Sequence, residues 1–392
     1  MSQPAQKPEP QPPQPDTQAA GDSHASTAAD TLANSAHLAD LRRRIDEIDQ
    51  RIVQFISQRG QIAAEIGALK AAAGVPVYAP DREQQVYEKL TQLNPGPFPA
   101  RVLHAIYREL MSGTLALERP QRIAYLGPRG SFSHLAATAK FGASVEYEPI
   151  ADIPGVFAEV AQRHCDFAVV PIENSTGGGV IDTLDAFIDD AGVQVCAEIN
   201  VRIHHNLLSR VPVERIAKLY SKPEIFDQCK RWLLETGLLA RTVAETSSSR
   251  AAERAASEPD AAAIGSELAA ELYDLPVSVA HVEDNPNNIT RFLVLGLAAA
   301  RPTGADKTIV MFTTVHRAGA LVDVLDVLRK HGVNLTMITS RPSRRKNWEY
   351  CFFIDADGHV DDEHVARALS AAREHCMQLT VLGAYPRAPE LG

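Results

Sequence analysis

Cysteine is scarce in this chain: five residues, at positions 165, 196, 229, 351 and 376, lie far apart and form neither a close pair nor a metal-ligand spacing. That disfavours a disulfide-stapled scaffold and leaves the reduced thiols of a cytosolic enzyme, so a cytoplasmic location is expected. No apolar run approaches the length of a membrane span. Positive charge is in deficit, with 39 Lys and Arg against 49 Asp and Glu and a net charge of -10. This argues against a nucleic-acid partner and confines anion recognition to local sites. There is no Gly-x-Gly-x-x-Gly fingerprint and no phosphate loop ending in Gly-Lys, which disfavours nicotinamide and nucleotide chemistry. The first thirty-seven residues lack apolar periodicity, carry six prolines before Thr17, and show neither a secretory signal nor an arginine-rich transit pattern. They read as a disordered, dispensable tail.

What is present is enough for two or three domains, since 392 residues with 45% hydrophobic content suit a soluble globular protein. Leu38, Leu41, Ile45, Ile48, Ile52, Phe55, Ile62, Ile66 and Leu69 follow alternating steps of three and four, one face of a long helix, and Arg59 stands inside that seam. A guanidinium cannot shed its proton, so burying it demands a carboxylate opposite or an anionic ligand. From Leu38 to Leu69 the helix would measure roughly 47 Å, too long for one compact domain, and an intertwined dimer is expected. Lys70 follows Arg59 by three turns and points the same way about 16 Å along, whereas Arg42 reaches such a pocket only from an antiparallel partner.

A second helix is expected from Pro80 and Asp81, with Arg82 and Glu83 in its first turn, and a third from about Pro99 to Pro120, with Glu118 in its last turn. Taken together, Leu38 to Arg42, Arg59, Glu65-Ile66-Gly67, Lys70, Asp81-Arg82-Glu83 and Leu115 to Glu118 resemble the all-helical chorismate mutases. The resemblance implies that Arg59, Arg82 and the partner's Arg42 hold the two carboxylates of chorismate, that Lys70 sits beside the ether oxygen, and that Glu83 takes the ring hydroxyl. Relatives often carry glutamine where this chain has Glu118. A glutamate donates a hydrogen bond only when protonated, so a raised pKa is expected there. Ala79 and Gly60 depart from the family pattern without removing a carboxylate clamp.

After Pro120 short apolar runs alternate with helices. Three turns each feed a helix N-terminus: Gly127 to Ser133, Pro171 to Thr176 with the glycines after it, and Glu245 to Ser249. Free backbone donors there favour anions, and the three together suggest a cleft for a small polyanion, with Ser131, Glu173, Asn174, Ser175, Thr176, Ser247 and Ser248 as candidates. His204 and His205 have no companions at metal-ligand spacing and read as structural. With Asn285 to Phe292, these turns resemble prephenate dehydratase over residues 121 to about 298. That resemblance makes Thr290 the critical catalytic group and prephenate the substrate. Arg291 either holds a substrate carboxylate or pairs with a structural acid.

Residues 299–306 read as a linker, and residues 307–392 as a βαββαβ unit. Gly319-Ala320-Leu321-Val322 and Ser340-Arg341-Pro342 resemble the amino-acid-binding turns of ACT regulatory domains, with Thr339 where an acid is usual. The expected architecture is therefore multidomain: a tail (1–37), an all-α three-helix mutase module (38–120), a two-lobed α/β dehydratase domain (121–298), the linker, and an α+β ACT domain. The resemblance as a whole is to bifunctional chorismate mutase/prephenate dehydratases of phenylalanine biosynthesis. It implies phenylalanine as allosteric inhibitor, no cofactor or metal, and a homodimer or higher oligomer. The competing readings are a noncatalytic amino-acid sensor and a mutase with a degenerate dehydratase region.

Overall fold

A computed structural model describes residues 23–73, 78–189, 192–344 and 349–388. The chain divides into two compact units, residues 1–62 and 63–392. Helix α1 (Ser23–Ala72) runs from the first into the second. It begins well ahead of Leu38, so residues 23–37, expected to be unstructured, are helical, while residues 1–22 lie outside the described residues. In the first unit the apolar seam is bare: Ile45, Ile48 and Phe55 are 57%, 54% and 59% exposed. Arg59 is half-buried rather than enclosed, and Arg42 is exposed.

In the second unit, α2 (Pro80–Leu93) opens on proline and α3 (Ala100–Glu118) follows Pro99, as the sequence signals require. The two-lobed domain begins with β1 (Arg122–Leu126), α4 (Phe132–Phe141), β2 (Glu146–Ile150), α5 (Ile153–Ala161), β3 (Phe167–Asn174), the short β4 (Gly178–Gly179), α6 (Ile181–Asp189) and β5 (Gln194–Arg202). The chain then builds a second lobe from β6 (Asn206–Ser209), β7 (Lys218–Ser221), α7 (Pro223–Gln228), α8 (Lys230–Glu235), β8 (Thr242–Ala244), α9 (Ser248–Ser257), β9 (Ala261–Gly265), α10 (Glu267–Leu272) and β10 (Val277–Val279). It returns as β11 (Ile289–Gly296), which inserts between β3 and β5, so the first sheet reads β2-β1-β3-β11-β5. Strand β3 runs past the expected end at Val170 through Pro171. Proline donates nothing to the ladder, and the register against β11 shifts opposite it, between Arg291 and Phe292.

The last domain is the expected βαββαβ: β12 (Asp306–Thr313), α11 (Ala320–Lys330), β13 (Leu335–Pro342), β14 (Tyr350–Asp357), α12 (Glu363–Arg373) and β15 (Gln378–Pro386), in sheet order β13-β14-β12-β15. It does not hang on a free linker. Ile309, Met311, Phe353, Leu382 and Tyr385 share one apolar cluster with Leu293, Leu295, Val193 and Val195 of the first lobe. Where β15 crosses β5, a Cβ at Gly383 would lie 2.1 Å from the Val195 carbonyl oxygen. Only glycine permits that approach, so Gly383→Ala is expected to lower stability by about 1–3 kcal/mol in denaturant unfolding.

Candidate functional site

The register of β11 decides the site, because it places Thr290 opposite Asn174 on β3 and opposite Val201 on β5. Asn174 Nδ2 donates to Thr290 Oγ1 at 2.8 Å and to Asn288 Oδ1 at 2.9 Å, while its Oδ1 accepts from the backbone N–H of Thr176 and Gly177. Every hydrogen-bonding atom of that amide is used, so its orientation is fixed. Asn288 Oδ1 also accepts from the hydroxyls of Ser175 and Thr176, at 3.4 and 3.3 Å. Ser175 Oγ in turn accepts from the Ile289 N–H. Asn174, Ser175, Thr176 and Thr290 thus meet at the point where the chain passes between the lobes. Thr290 Oγ1 already accepts a hydrogen bond, which leaves its own proton to be donated and strengthens it as a donor.

Asn288 is the residue that sequence reading missed. It is 3% exposed and reaches Gln228 with its Nδ2 at 3.5 Å. Gln228 Oε1 accepts from His205 Nε2 at 2.7 Å, and Phe132 of the first turn packs edge-on against the His205 ring. Burial holds the His205 pKa below its usual value, so the ring is neutral. The only signal available in sequence was an asparagine two residues before the threonine, and asparagine is common in turns.

The other turns converge less directly. Ser131 and Ser247 cap α4 and α9, accepting from His134 N–H and Arg250 N–H, and Ser248 is buried. The first and third turns touch, because Ser249 Oγ donates to the Arg129 carbonyl and Ser266 Oγ to that of Gly130. Glu173 pairs along β3 with Arg291 and Gly179. His204 does have companions after all: its Nδ1 lies 2.7 Å from Glu283 Oε1, and its ring stacks on His281 at 3.9 Å. The rings lie nearly parallel, 11° apart, so stacking and the Glu283 contact account for the group.

Of the two readings open for Arg291, the pairing with structural acids is the one the contacts show. Its Nε donates to Glu198 at 2.7 Å, its Nη2 to the Tyr385 hydroxyl at 2.7 Å, and its Nη1 to Asp355. All three nitrogens thus meet buried partners, two of them on the C-terminal sheet.

On the helical side, Glu118 lies over Gly67, where an added Cβ would come within 2.4 Å of its Cγ. Its Oε2 is buried without a hydrogen-bond partner among the described residues. Burial raises its pKa, with Lys70 opposing. Arg82 donates to Gln85. Glu83 points elsewhere: Tyr78 Oη donates to its Oε2 at 2.7 Å and Lys140 Nζ of α4 lies 2.9 Å away. The resemblance implies a ring-hydroxyl partner for this carboxylate, and in the structure its Oε2 is engaged by Tyr78 and by α4 of the neighbouring domain.

In the C-terminal domain Gly319 takes a left-handed φ of 82° and leads into α11, so Ala320, Leu321 and Val322 form its first turn. Ser340, Arg341 and Pro342 end the edge strand β13. All five cysteines are free thiols, and among the described residues no helix is long and apolar enough to cross a membrane.

Three helices, a two-lobed α/β domain with a hydroxyl–amide cluster at the lobe crossing, and an appended βαββαβ unit define a multidomain enzyme with a regulatory module. Matches to known families agree: chorismate mutase type II over residues 41–119, prephenate dehydratase over 123–300 and the ACT domain over 308–374. A bifunctional chorismate mutase/prephenate dehydratase of Aquifex aeolicus is 40% identical over 90% of this chain and 98% of its own. One from Pseudomonas aeruginosa is 40% identical over 91% of this chain and 100% of its own. Among solved structures, prephenate dehydratase from Arthrobacter aurescens in complex with L-Phe is 34% identical, with a TM-score of 0.63 over 68% of this chain and 90% of its own. The chain belongs to the bifunctional chorismate mutase/prephenate dehydratase family.

Asn288→Ala removes the acceptor that gathers Asn174, Ser175 and Thr176. Dehydratase kcat/KM is expected to fall about a hundredfold, with mutase turnover of the same preparation unchanged as the control.

Proposed function

We propose that this chain rearranges chorismate to prephenate in its helical module and converts prephenate to phenylpyruvate in its two-lobed domain, under feedback inhibition by phenylalanine at the C-terminal domain. The observation that carries the reading is the fully committed Asn174 amide holding Thr290 Oγ1 at 2.8 Å. Prephenate becomes aromatic by losing carbon dioxide and its ring hydroxyl together, and the hydroxyl leaves as water once it receives a proton. Thr290, accepting from Asn174, presents its own hydrogen to that leaving group. Ser175 and Thr176 line the same corner and are placed to orient the substrate. The three helix-feeding turns supply a setting suited to its two carboxylates.

The mutase step is a concerted sigmatropic rearrangement, so the protein fixes the reactive conformer and stabilises developing charge. Arg59, Arg82 and the partner's Arg42 are proposed to clamp the carboxylates, with Lys70 and protonated Glu118 at the ether oxygen. The bare seam of α1 favours a second copy of this chain as its cover, because an apolar row of this length is not left in water. Phenylalanine is proposed to act near Gly319 to Val322 and Ser340 to Pro342. The reading is of a soluble enzyme, cytoplasmic, needing no cofactor for either step.

Two measurements test this. Chorismate added to the purified chain should yield prephenate and then phenylpyruvate, and Thr290→Ala should abolish only the second product. Full retention of phenylpyruvate formation in that variant removes Thr290 from the mechanism. The second uses pH. A carboxyl that must be protonated to donate is lost as pH rises through its raised pKa, so mutase kcat should fall with rising pH. Glu118→Gln, which donates at any pH, should flatten that fall.

A further inference from the structure

Two acids join the two-lobed domain to the C-terminal sheet by charged hydrogen bonds. Asp185, on α6 and 6% exposed, accepts from Arg341 Nε at one oxygen and Nη2 at the other, each at 3.0 Å, and also from Arg344. Asp355, on β14 and completely buried, accepts from Arg291 and, at 3.3 Å, from the Tyr385 hydroxyl.

What distinguishes this pair is where each link ends. Helix α6 follows the Asn174 to Thr176 loop through β4, and its Thr183 hydroxyl donates at 2.6 Å to the Pro171 carbonyl on the strand feeding that loop. Arg291 is the peptide neighbour of Thr290. One link therefore ends a short rigid step from Asn174 and the other beside Thr290, the donor and acceptor of a single hydrogen bond. At the opposite end, Arg341 belongs to the Thr339 to Pro342 end of strand β13. Its guanidinium fork is filled by Asp185, so it cannot take a ligand carboxylate in the same bidentate geometry until that contact opens.

We propose that Asp185 and Asp355 are positioning residues that transmit occupancy of the Thr339 to Pro342 segment to the Asn174–Thr290 hydrogen bond. An amino acid bound at this strand end draws Arg341, and with it Arg344 three residues on, from Asp185. Helix α6 is then released while Asp355 still holds β11, so donor and acceptor separate and dehydration slows. The two states differ by a named contact, which is what an effector needs in order to shift their balance. The inference rests on phenylalanine being the effector and Thr290 the dehydratase group.

The test uses the full chain, with four readouts on each variant: mutase turnover, dehydratase turnover, the phenylalanine inhibition curve, and phenylalanine binding by calorimetry. In Asp185→Asn helix α6 is released already, so dehydratase turnover without phenylalanine should fall about tenfold and phenylalanine should slow it little further. Binding should be no weaker, since the bound state no longer has to break the Arg341 contact. Asp185→Glu keeps the charge and should restore both turnover and inhibition towards those of the parent, while Asp355→Asn, which frees β11 to follow α6, should bind phenylalanine and lose inhibition. Mutase turnover reports that each variant is folded, and the Asp355→Asn arm decides the matter if Asp185→Asn is not. Unchanged inhibition in the Asn variants, or binding lost in step with inhibition, overturns the proposal. A parent chain with both turnovers but no response to phenylalanine removes the effector reading and this proposal with it. A parent without dehydratase turnover instead defeats the functional assignment itself.

Discussion

The guanidinium of Arg291 is the constraint on which the dehydratase architecture turns. It is enclosed between two sheets with Glu198, Asp355 and Tyr385 on its three nitrogens, and Lys307 adds a second cation 3.1 Å from Glu198. Desolvating such charges is costly, and the arrangement is stable only while every partner stays in place; removing one leaves an unpaired buried charge at a cost of about 3–5 kcal/mol. The network therefore specifies geometry more than it adds stability. It fixes β11 against β5 on one side and against β14 and β15 on the other, and Thr290 inherits that placement through one peptide bond. The apolar cluster shared by the two domains holds them together non-directionally, whereas the Arg291 network sets their register.

Both proposed reactions suit a protein that works by placement. A sigmatropic rearrangement needs a fixed conformer and a stabilised ether oxygen, and an aromatising elimination needs a proton donor aimed at a hydroxyl. In each case the useful group is one whose hydrogen-bonding capacity is partly spent. Thr290 has accepted its bond and keeps a proton to give. Glu118 retains a buried oxygen without a hydrogen-bond partner among the described residues, and burial favours the protonated form that can donate. The same logic describes both sites although no residue type is shared.

Much of the fold was legible because it is written in local periodicity. Steps of three and four marked α1, proline and an acid marked the start of α2, and the alternation of short apolar runs gave the βαββαβ unit. The sites were legible only in part. Thr290, Asn174, Ser175 and Thr176 could be named from short motifs, but what holds them could not. Asn174 and Asn288 are separated by 114 residues, and Arg291 and Asp355 by 64. Nothing in either local pattern selects the other; the pairing follows from β11 returning to the first sheet after the second lobe is built. The expectation of an enclosed Arg59 illustrates the complementary limit. A seam read along one helix says that a cover exists but not which chain supplies it, and within one chain the seam is bare.

Glu83 shows how joining domains can redirect a residue that resemblance assigns elsewhere. The resemblance gives it a ring hydroxyl, yet Lys140 on α4 and the Tyr78 hydroxyl hold its carboxylate where it is 8% exposed. Tyr78 in turn packs against Phe141 and Phe167 of the first lobe, with ring centroids 5.3 and 5.0 Å away. Freeing Glu83 for a substrate would leave Lys140 unpaired and the Tyr78 hydroxyl without its acceptor, against the gain of one hydrogen bond to a neutral hydroxyl worth about 0.5–1.5 kcal/mol. The balance favours the interdomain pair. In this chain the carboxylate anchors the helical module to the dehydratase domain.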